Sequence, residues 1–97
     1  MAHLIWSPSA VKDLEEICNY ISKDSEEDAR QFAKKIIDTI DGLYDFPYAG
    51  RIVPEIKKKT IREKLINHYR IIYRLKVDTI EIVRIMHSAR VLNNLNQ

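Results

Sequence analysis

The sequence predicts an α+β domain in which an N-terminal antiparallel helical hairpin packs on a mostly antiparallel sheet of about four strands. Apolar residues recur at helical spacing in the first half of the chain and alternate with polar residues in much of the second half. Between these regions Gly42, Pro47 and Gly50 interrupt helical order. The 97 residues suffice for one hydrophobic core, so we expect a single domain over residues 1–97.

Two helices are predicted in the first half. Ser7 can cap the first helix, over residues 8–22, and Pro8 suits its first position. The second helix begins after Ser25 with an acidic first turn, which the helix dipole favours. A short link at residues 23–24 makes the two helices antiparallel. The expected apolar stripes are Val11, Leu14, Ile17, Cys18 and Ile21 in the first helix, and Ala29, Phe32, Ala33, Ile36, Ile37, Ile40 and Leu43 in the second.

The second half predicts strands. Residues 69–75 alternate, with tyrosines and aliphatic residues on one face, and with Arg70, Ile72 and Arg74 on the other. Residues 60–66 form the preceding strand, and Asn67 with His68 forms the turn because Asn tolerates positive φ. Residues 79–87 form the last strand, and residues 4–6 add one more at the start of the chain.

Charge is divided unevenly along the chain. Residues 1–50 carry five Lys/Arg and ten Asp/Glu, whereas residues 51–97 carry eleven and four. Between Arg51 and Lys76 there are nine basic residues and two acidic ones, Glu55 and Glu63. This asymmetry predicts a polyanionic partner, either a nucleic acid or an acidic protein segment, with a solvated basic face as the alternative.

The sequence also bounds compartment and cofactors. No run approaches the ~18 apolar residues of a membrane span, and the first residues lack a signal-peptide pattern, so we expect a cytoplasmic protein with no membrane partner. Cys18 alone cannot form an intramolecular disulfide, which suits a reducing compartment. His3, His68 and His87 have no ligand spacing with Cys18, so we expect neither a metal site nor a cofactor.

Four blocks, spanning nearly the whole chain, carry a family resemblance. They are Trp6-Ser7-Pro8-x-Ala10-x-x-Asp13-Leu14-x-x-Ile17-x-x-Tyr20-Ile21, Phe46-Pro47-x-x-Gly50-Arg51-x-Val53-Pro54-Glu55, Arg62-Glu63 followed by Tyr69-Arg70-Ile71-Ile72-Tyr73-Arg74, and Ile82-Val83-Arg84-Ile85-x-His87-x-x-Arg90. In this order they resemble the RelE/ParE-type toxins of type II toxin–antitoxin systems. The resemblance implies the same fold and a growth inhibitor that a cognate antitoxin neutralises. Some members cleave messenger RNA on the ribosome, and others inhibit DNA gyrase.

For this chain the resemblance implies, first, a metal-independent, ribosome-dependent endonuclease whose catalytic residues are Glu55, Arg70 and His87. Glu55 would be the base that activates the 2′-hydroxyl, and His87 the acid that protonates the leaving oxygen. Arg70, projecting from the polar face of its strand, would clamp the phosphate. Each residue also has a structural interpretation: an ion pair for Glu55, a solvated sheet face for Arg70, and a structural role for His87.

Two further functions remain open. Residues 88–97 contain no aromatic residue, whereas the ribonuclease branch commonly has one after its last strand, and the pair His87 and Arg90 resembles the gyrase-inhibiting branch, which acts by binding. An inactive member that retains only antitoxin binding is the third possibility. Lys57–Lys59 are a second set of candidate residues for RNA cleavage, since other ribonuclease members use lysines in this region.

Eight basic residues are the candidates for contact with nucleic acid or antitoxin. An antitoxin of the acidic or amphipathic kind that orders on binding is expected to lie across Arg62, Lys64, Arg70 and Arg74, and to inhibit by occlusion or displacement. The eight candidates are Arg51, Lys57, Lys58, Lys59, Arg62, Lys64, Arg74 and Arg90.

Overall fold

A computed structural model describes residues 3–92 and has the expected α+β architecture. The helices are α1 (Pro8–Ser22) and α2 (Glu26–Asp41), followed by a 3-10 turn, Gly42–Tyr44. The strands are β1 (His3–Trp6), β2 (Arg51–Ile52), β3 (Ile61–Ile66), β4 (Tyr69–Leu75) and β5 (Thr79–His87). They form one sheet in the order β1-β5-β4-β3-β2, in which β1 runs parallel to β5 and the other pairs are antiparallel.

Both predicted helix starts are confirmed. The Ser7 hydroxyl oxygen accepts a hydrogen bond from the Ala10 amide at 3.0 Å, and the Ser25 hydroxyl accepts one from the Asp28 amide at 3.1 Å. The Ser7 hydroxyl also donates to the Val83 carbonyl at 2.8 Å, so the same side chain caps α1 and joins it to β5.

The helices cover one face of the sheet and form the larger core with it. Val11 and Ile37 are the exposed members of the two predicted apolar stripes. The other residues of the stripes are buried or partly buried. The core residues on this face are Ala10, Phe32, Ile36, Ile40, Leu43, Ile71, Tyr73, Ile80, Ile82 and Ile85.

A second, smaller core lies on the opposite face of the sheet. No helix of the described part of the chain covers this face. Instead, the loop after β2 and the segment after β5 contribute Val53 and Leu92. Their apolar partners on the sheet are Ile61, Ile72 and Met86. The segment of residues 88–92, called the closing segment below, therefore completes the fold.

The sheet contains one more strand than the sequence predicted. This strand is β2, which pairs with Arg62 and Glu63 of β3. With only two residues, β2 is too short to show an alternating pattern in the sequence. The predicted turn at Asn67 is confirmed, and this residue has a φ of 53°. Among residues 3–92 no helix is long and apolar enough to cross a membrane.

Candidate functional site

Glu55 and Arg70, two of the predicted catalytic residues, meet in a bidentate ion pair. Arg70 Nη1 donates to Glu55 Oε2 at 2.7 Å, and Nη2 donates to Glu55 Oε1 at 2.8 Å. The Arg70 side chain is only 5% exposed. The structural alternative for Arg70, a solvated sheet face, is therefore wrong, because the loop carrying Glu55 and the closing segment cover that face.

Glu63 is a second carboxylate for Arg70 and was not among the predicted site residues. Its side chain is 0% exposed, and its Oε1 accepts from Arg70 Nε at 2.6 Å. Its Oε2 accepts from Arg51 Nε, also at 2.6 Å, and the Arg51 side chain is mostly exposed. The four residues form an alternating chain of charges, Arg51–Glu63–Arg70–Glu55, that runs from the exposed Arg51 through two buried side chains to the partly exposed Glu55. Glu63 lies between Ile61 and Leu65 in the alternation of β3, a signal that could have revealed its inward orientation.

This arrangement shifts the pKa of both ends of the pair in the direction that keeps them charged. The hydrogen bonds from Arg70, and after them the one from the Leu92 amide, lower the pKa of Glu55 from 4.5 to about 2. The hydrogen bonds to Glu55, followed by those to Glu63, raise the pKa of Arg70 despite its burial. Glu55 is thus a stable anion and a weak base.

The same two side chains hold the closing segment. Arg70 Nη1 also donates to the Arg90 carbonyl at 2.9 Å, and Glu55 Oε2 accepts from the Leu92 amide at 3.1 Å. Both side chains of the pair therefore contact the closing segment as well as each other. A bidentate grip on a phosphate at Arg70 would require breaking at least one of these bonds, because the bonds among residues 3–92 leave one of its five N–H groups, on Nη2.

His87 lies on the other side of the sheet. In the β4–β5 register Tyr69 is opposite His87 and Arg70 is opposite Met86. Because neighbouring side chains of a strand point to opposite faces, His87 shares a face with Tyr69, and their ring centroids are 5.6 Å apart. The exposed His87 ring also stacks on His68 at 6.3 Å, and its Nδ1 accepts from the Ala89 amide at 3.1 Å. The three predicted catalytic residues are not assembled at one site.

The four basic residues expected to form one antitoxin surface are also divided. In the β3–β4 register Arg62 is opposite Tyr73 and Lys64 is opposite Ile71, so both lie on the face that the helices cover. Arg62 bonds to the Lys59 and Gly50 carbonyls, at 2.9 Å each. The expected common basic face is therefore wrong.

Arg74 lies on the opposite face, near Glu81. It is largely buried, and its Nη1 is 3.4 Å from Glu81 Oε1. Its Nε is buried without a hydrogen-bond partner among the described residues. This placement leaves Arg74 little room to meet a partner.

The remaining basic candidates are exposed and belong to β2, to the loop after it and to the closing segment. Lys57, Lys58 and Lys59 occupy the loop between β2 and β3, where Lys57 has a φ of 61°. The Arg51 and Arg90 side chains are also exposed. Within residues 3–92 no group of three or more metal-binding side chains comes together. The site is chemically a set of exposed cations next to four linked charged residues whose charges balance. These four residues, called the ion cluster below, are Arg51, Glu63, Arg70 and Glu55.

Comparison with known proteins identifies the family of this chain. The family model described as "ParE toxin of type II toxin-antitoxin system, parDE" matches residues 4–92. The protein named "Toxin RelE2" of Caulobacter vibrioides is 33% identical over 91 residues, which is 93% of this chain and 99% of that protein. The structure also matches one from the chromosomal ParDE system of P. aeruginosa, with a TM-score of 0.74 and 23% identity over 90% of this chain and 96% of the other. The chain therefore belongs to the ParE toxin family of type II toxin–antitoxin systems.

Proposed function

We propose that this toxin inhibits growth by binding its target rather than by cleaving RNA, that the target is DNA gyrase, and that a cognate antitoxin neutralises it. The observation that carries the proposal is the environment of Arg70. Among residues 3–92 its guanidinium donates four hydrogen bonds, two to Glu55, one to Glu63 and one to the Arg90 carbonyl, which occupy four of its five N–H groups. A phosphate clamp needs donors that face the substrate.

The other two candidates support the same proposal. A general base works best when its pKa lies near the working pH, and the pKa of Glu55 is about 2. Such a carboxylate takes a proton from a hydroxyl only with a large free-energy penalty. His87, on the opposite face of the sheet, is too poorly placed to protonate a leaving group beside Arg70. A binding mechanism needs none of these functions.

The choice of gyrase rests on the family and on the end of β5. The resemblance of His87 and Arg90 to the gyrase-inhibiting branch agrees with the match to the ParE family model. His87 is the last residue of β5 and Arg90 follows in the closing segment, and both are exposed enough to contact a protein surface.

The antitoxin is proposed to be an acidic or amphipathic segment, as the family resemblance implies. Exposed cations of the second half, including Arg51, Lys57 and Arg90, are suitable partners for its carboxylates. An antitoxin bound over these cations would hide the surface that contacts the target, which gives inhibition by occlusion.

Expression of the toxin in growing cells tests the proposal against the ribonuclease alternative. Plasmid topology is measured on chloroquine gels, and messenger-RNA ends are mapped by primer extension at the same time points. The proposal expects relaxed plasmid soon after induction and an unchanged pattern of RNA ends. Co-expression with the antitoxin encoded beside the toxin is the control and should restore supercoiling. New RNA ends at early times, with normally supercoiled plasmid, would instead favour cleavage.

A further inference from the structure

The closing segment has little regular structure of its own to hold it in place. Its amides at Ser88 and Arg90 bond to the carbonyls of His68 and His87, at 2.7 and 3.0 Å. Beyond Arg90 its position depends on three contacts: the Arg90 carbonyl with Arg70, the Leu92 amide with Glu55, and the buried Leu92 side chain. Two of these three contacts involve the ion cluster.

Burial of Leu92 alone would attach the segment but would not specify its geometry, because apolar contacts have little directionality. Hydrogen bonds from a guanidinium and to a carboxylate are directional and strengthened by charge. A buried ion pair is weak evidence for stability, since its desolvation cost offsets its attraction, and its best-attested use is to specify one arrangement. The cluster therefore suits a role in fixing position.

The residue held between these two attachment points is exposed. Val91 is 67% exposed although it is apolar, and the neighbouring Arg90 side chain is exposed as well. Arginine is enriched at the centres of protein interfaces, which makes the exposed Arg90 a suitable contact residue. The loop carrying Lys57 is joined to the same segment through Glu55, so both of the segments that meet at Glu55 carry exposed cations.

We propose that Glu55, Arg70 and Glu63 are positioning residues that fix the closing segment so that Arg90 and Val91 form the contact with an acidic surface of the target. This inference rests on the proposed function, because it assumes that the toxin acts by binding. The ion cluster then positions the closing segment, and Glu55 and Arg70 do not have the catalytic roles that the family resemblance implied for them.

Two substitutions at Glu55 separate positioning from catalysis. Glu55→Ala removes both the Leu92 bond and the bidentate pair, while Arg70 keeps Glu63. Glu55→Gln can keep its amide oxygen at the Oε2 position, where it still accepts from the Leu92 amide and from Arg70 Nη1, and loses only the bond from Arg70 Nη2, which its amide NH2 group cannot accept. A catalytic base would be lost in both variants. A positioning residue is lost in the first and largely kept in the second.

Arg84→Met is the matched control for loss of an ion pair. Arg84 binds Asp13 in a bidentate pair, with bonds of 2.7 and 3.0 Å, and links α1 to β5. Among residues 3–92 no hydrogen bond connects Arg84 to the closing segment. The Arg84→Met substitution should therefore lower the melting temperature without loosening residues 90–92 or reducing growth inhibition.

Residue-resolved amide exchange of Leu92, growth inhibition and gyrase inhibition are measured for all variants. We expect Glu55→Ala to accelerate exchange at Leu92 by about tenfold or more, as loss of one charge-assisted hydrogen bond predicts, and to reduce both inhibitory activities by a similar factor. Glu55→Gln should retain most of each activity. Wild-type activity in Glu55→Ala with a loosened segment, or unchanged exchange at Leu92, would overturn the positioning role. A wild-type toxin that arrests growth but leaves gyrase active would instead refute the proposed target, and the growth data would still test positioning.

Discussion

Removal of the Tyr73 hydroxyl should destabilise the protein because this group anchors the loop that leads into β2. The side chain is completely buried, its hydroxyl donates to the Pro47 carbonyl at 2.8 Å, and it accepts from the Gly50 amide at 2.9 Å. Each buried polar group left without a partner costs about 1–3 kcal/mol. Gly50 is buried, whereas Pro47 is partly exposed and its carbonyl can regain water. We therefore expect Tyr73→Phe to lower the free energy of unfolding by about 2–3 kcal/mol.

Urea unfolding followed by Trp6 fluorescence and circular dichroism measures this loss directly. Tyr69→Phe is the control, because the structure records no hydrogen bond to the Tyr69 hydroxyl among residues 3–92. Its ring packs against Phe32 at a centroid distance of 5.1 Å, a contact that Phe retains. The control should change stability by less than about 0.5 kcal/mol. A Tyr73→Phe protein as stable as the control would refute the anchoring role of the hydroxyl.

Two other predictions concern the acid stability of the ion cluster and the packing of one glycine. The pKa of Glu55 is lowered to about 2, so its pair with Arg70 should stabilise the protein above pH ~4.5 and lose that contribution as the pH falls through ~2. At neutral pH the free energy of unfolding of Glu55→Gln, measured by chemical unfolding, should be lower than that of the wild type by about 1–2 kcal/mol after solvent screening. This difference should disappear as the pH falls over this range. A difference that does not change with pH would argue against the ion pair. Gly50→Ala places a methyl group 2.5 Å from the Glu63 carbonyl oxygen and should cost about 2 kcal/mol or more by thermal unfolding. Gly42→Ala meets nothing within 4 Å and should be neutral, and equal effects of the two substitutions would argue against the clash.

The fold was largely predictable because its signals are local. Caps at Ser7 and Ser25 and the tight turn at Asn67 are set by neighbouring residues, and each is confirmed. The short strand β2 was missed because two residues carry no periodicity, and its existence depends on pairing with β3 across the chain.

The division of the basic residues could also have been derived from the sequence. A two-residue turn at positions 67–68 places Ile66 opposite Tyr69, which puts Lys64 opposite Ile71 and Leu65 opposite Arg70. Counting along this hairpin separates Lys64 from Arg70 without any structure. The prediction of a common basic face overlooked this register and relied on charge alone.

The ion cluster was harder to predict because it depends on parts of the chain that are far apart. Glu55 and Arg70 are fifteen residues apart in sequence, and the Leu92 amide is thirty-seven residues from Glu55. Ile72, an apolar residue on the same face as Arg70, indicated that something covers this face but not what covers it. Only the three-dimensional path of the closing segment shows that Arg70 is enclosed.

Supercoiling of relaxed plasmid by purified DNA gyrase, titrated with purified toxin, shows whether the toxin acts on gyrase. A toxin that binds gyrase should reduce supercoiling as its concentration rises, and the cognate antitoxin should restore supercoiling. Glu55→Gln should inhibit nearly as well as the wild type, since the carboxylate positions a surface and performs no chemistry. Full gyrase activity at every toxin concentration, with cleavage of messenger RNA by the same preparation in a translation extract, would contradict gyrase as the target.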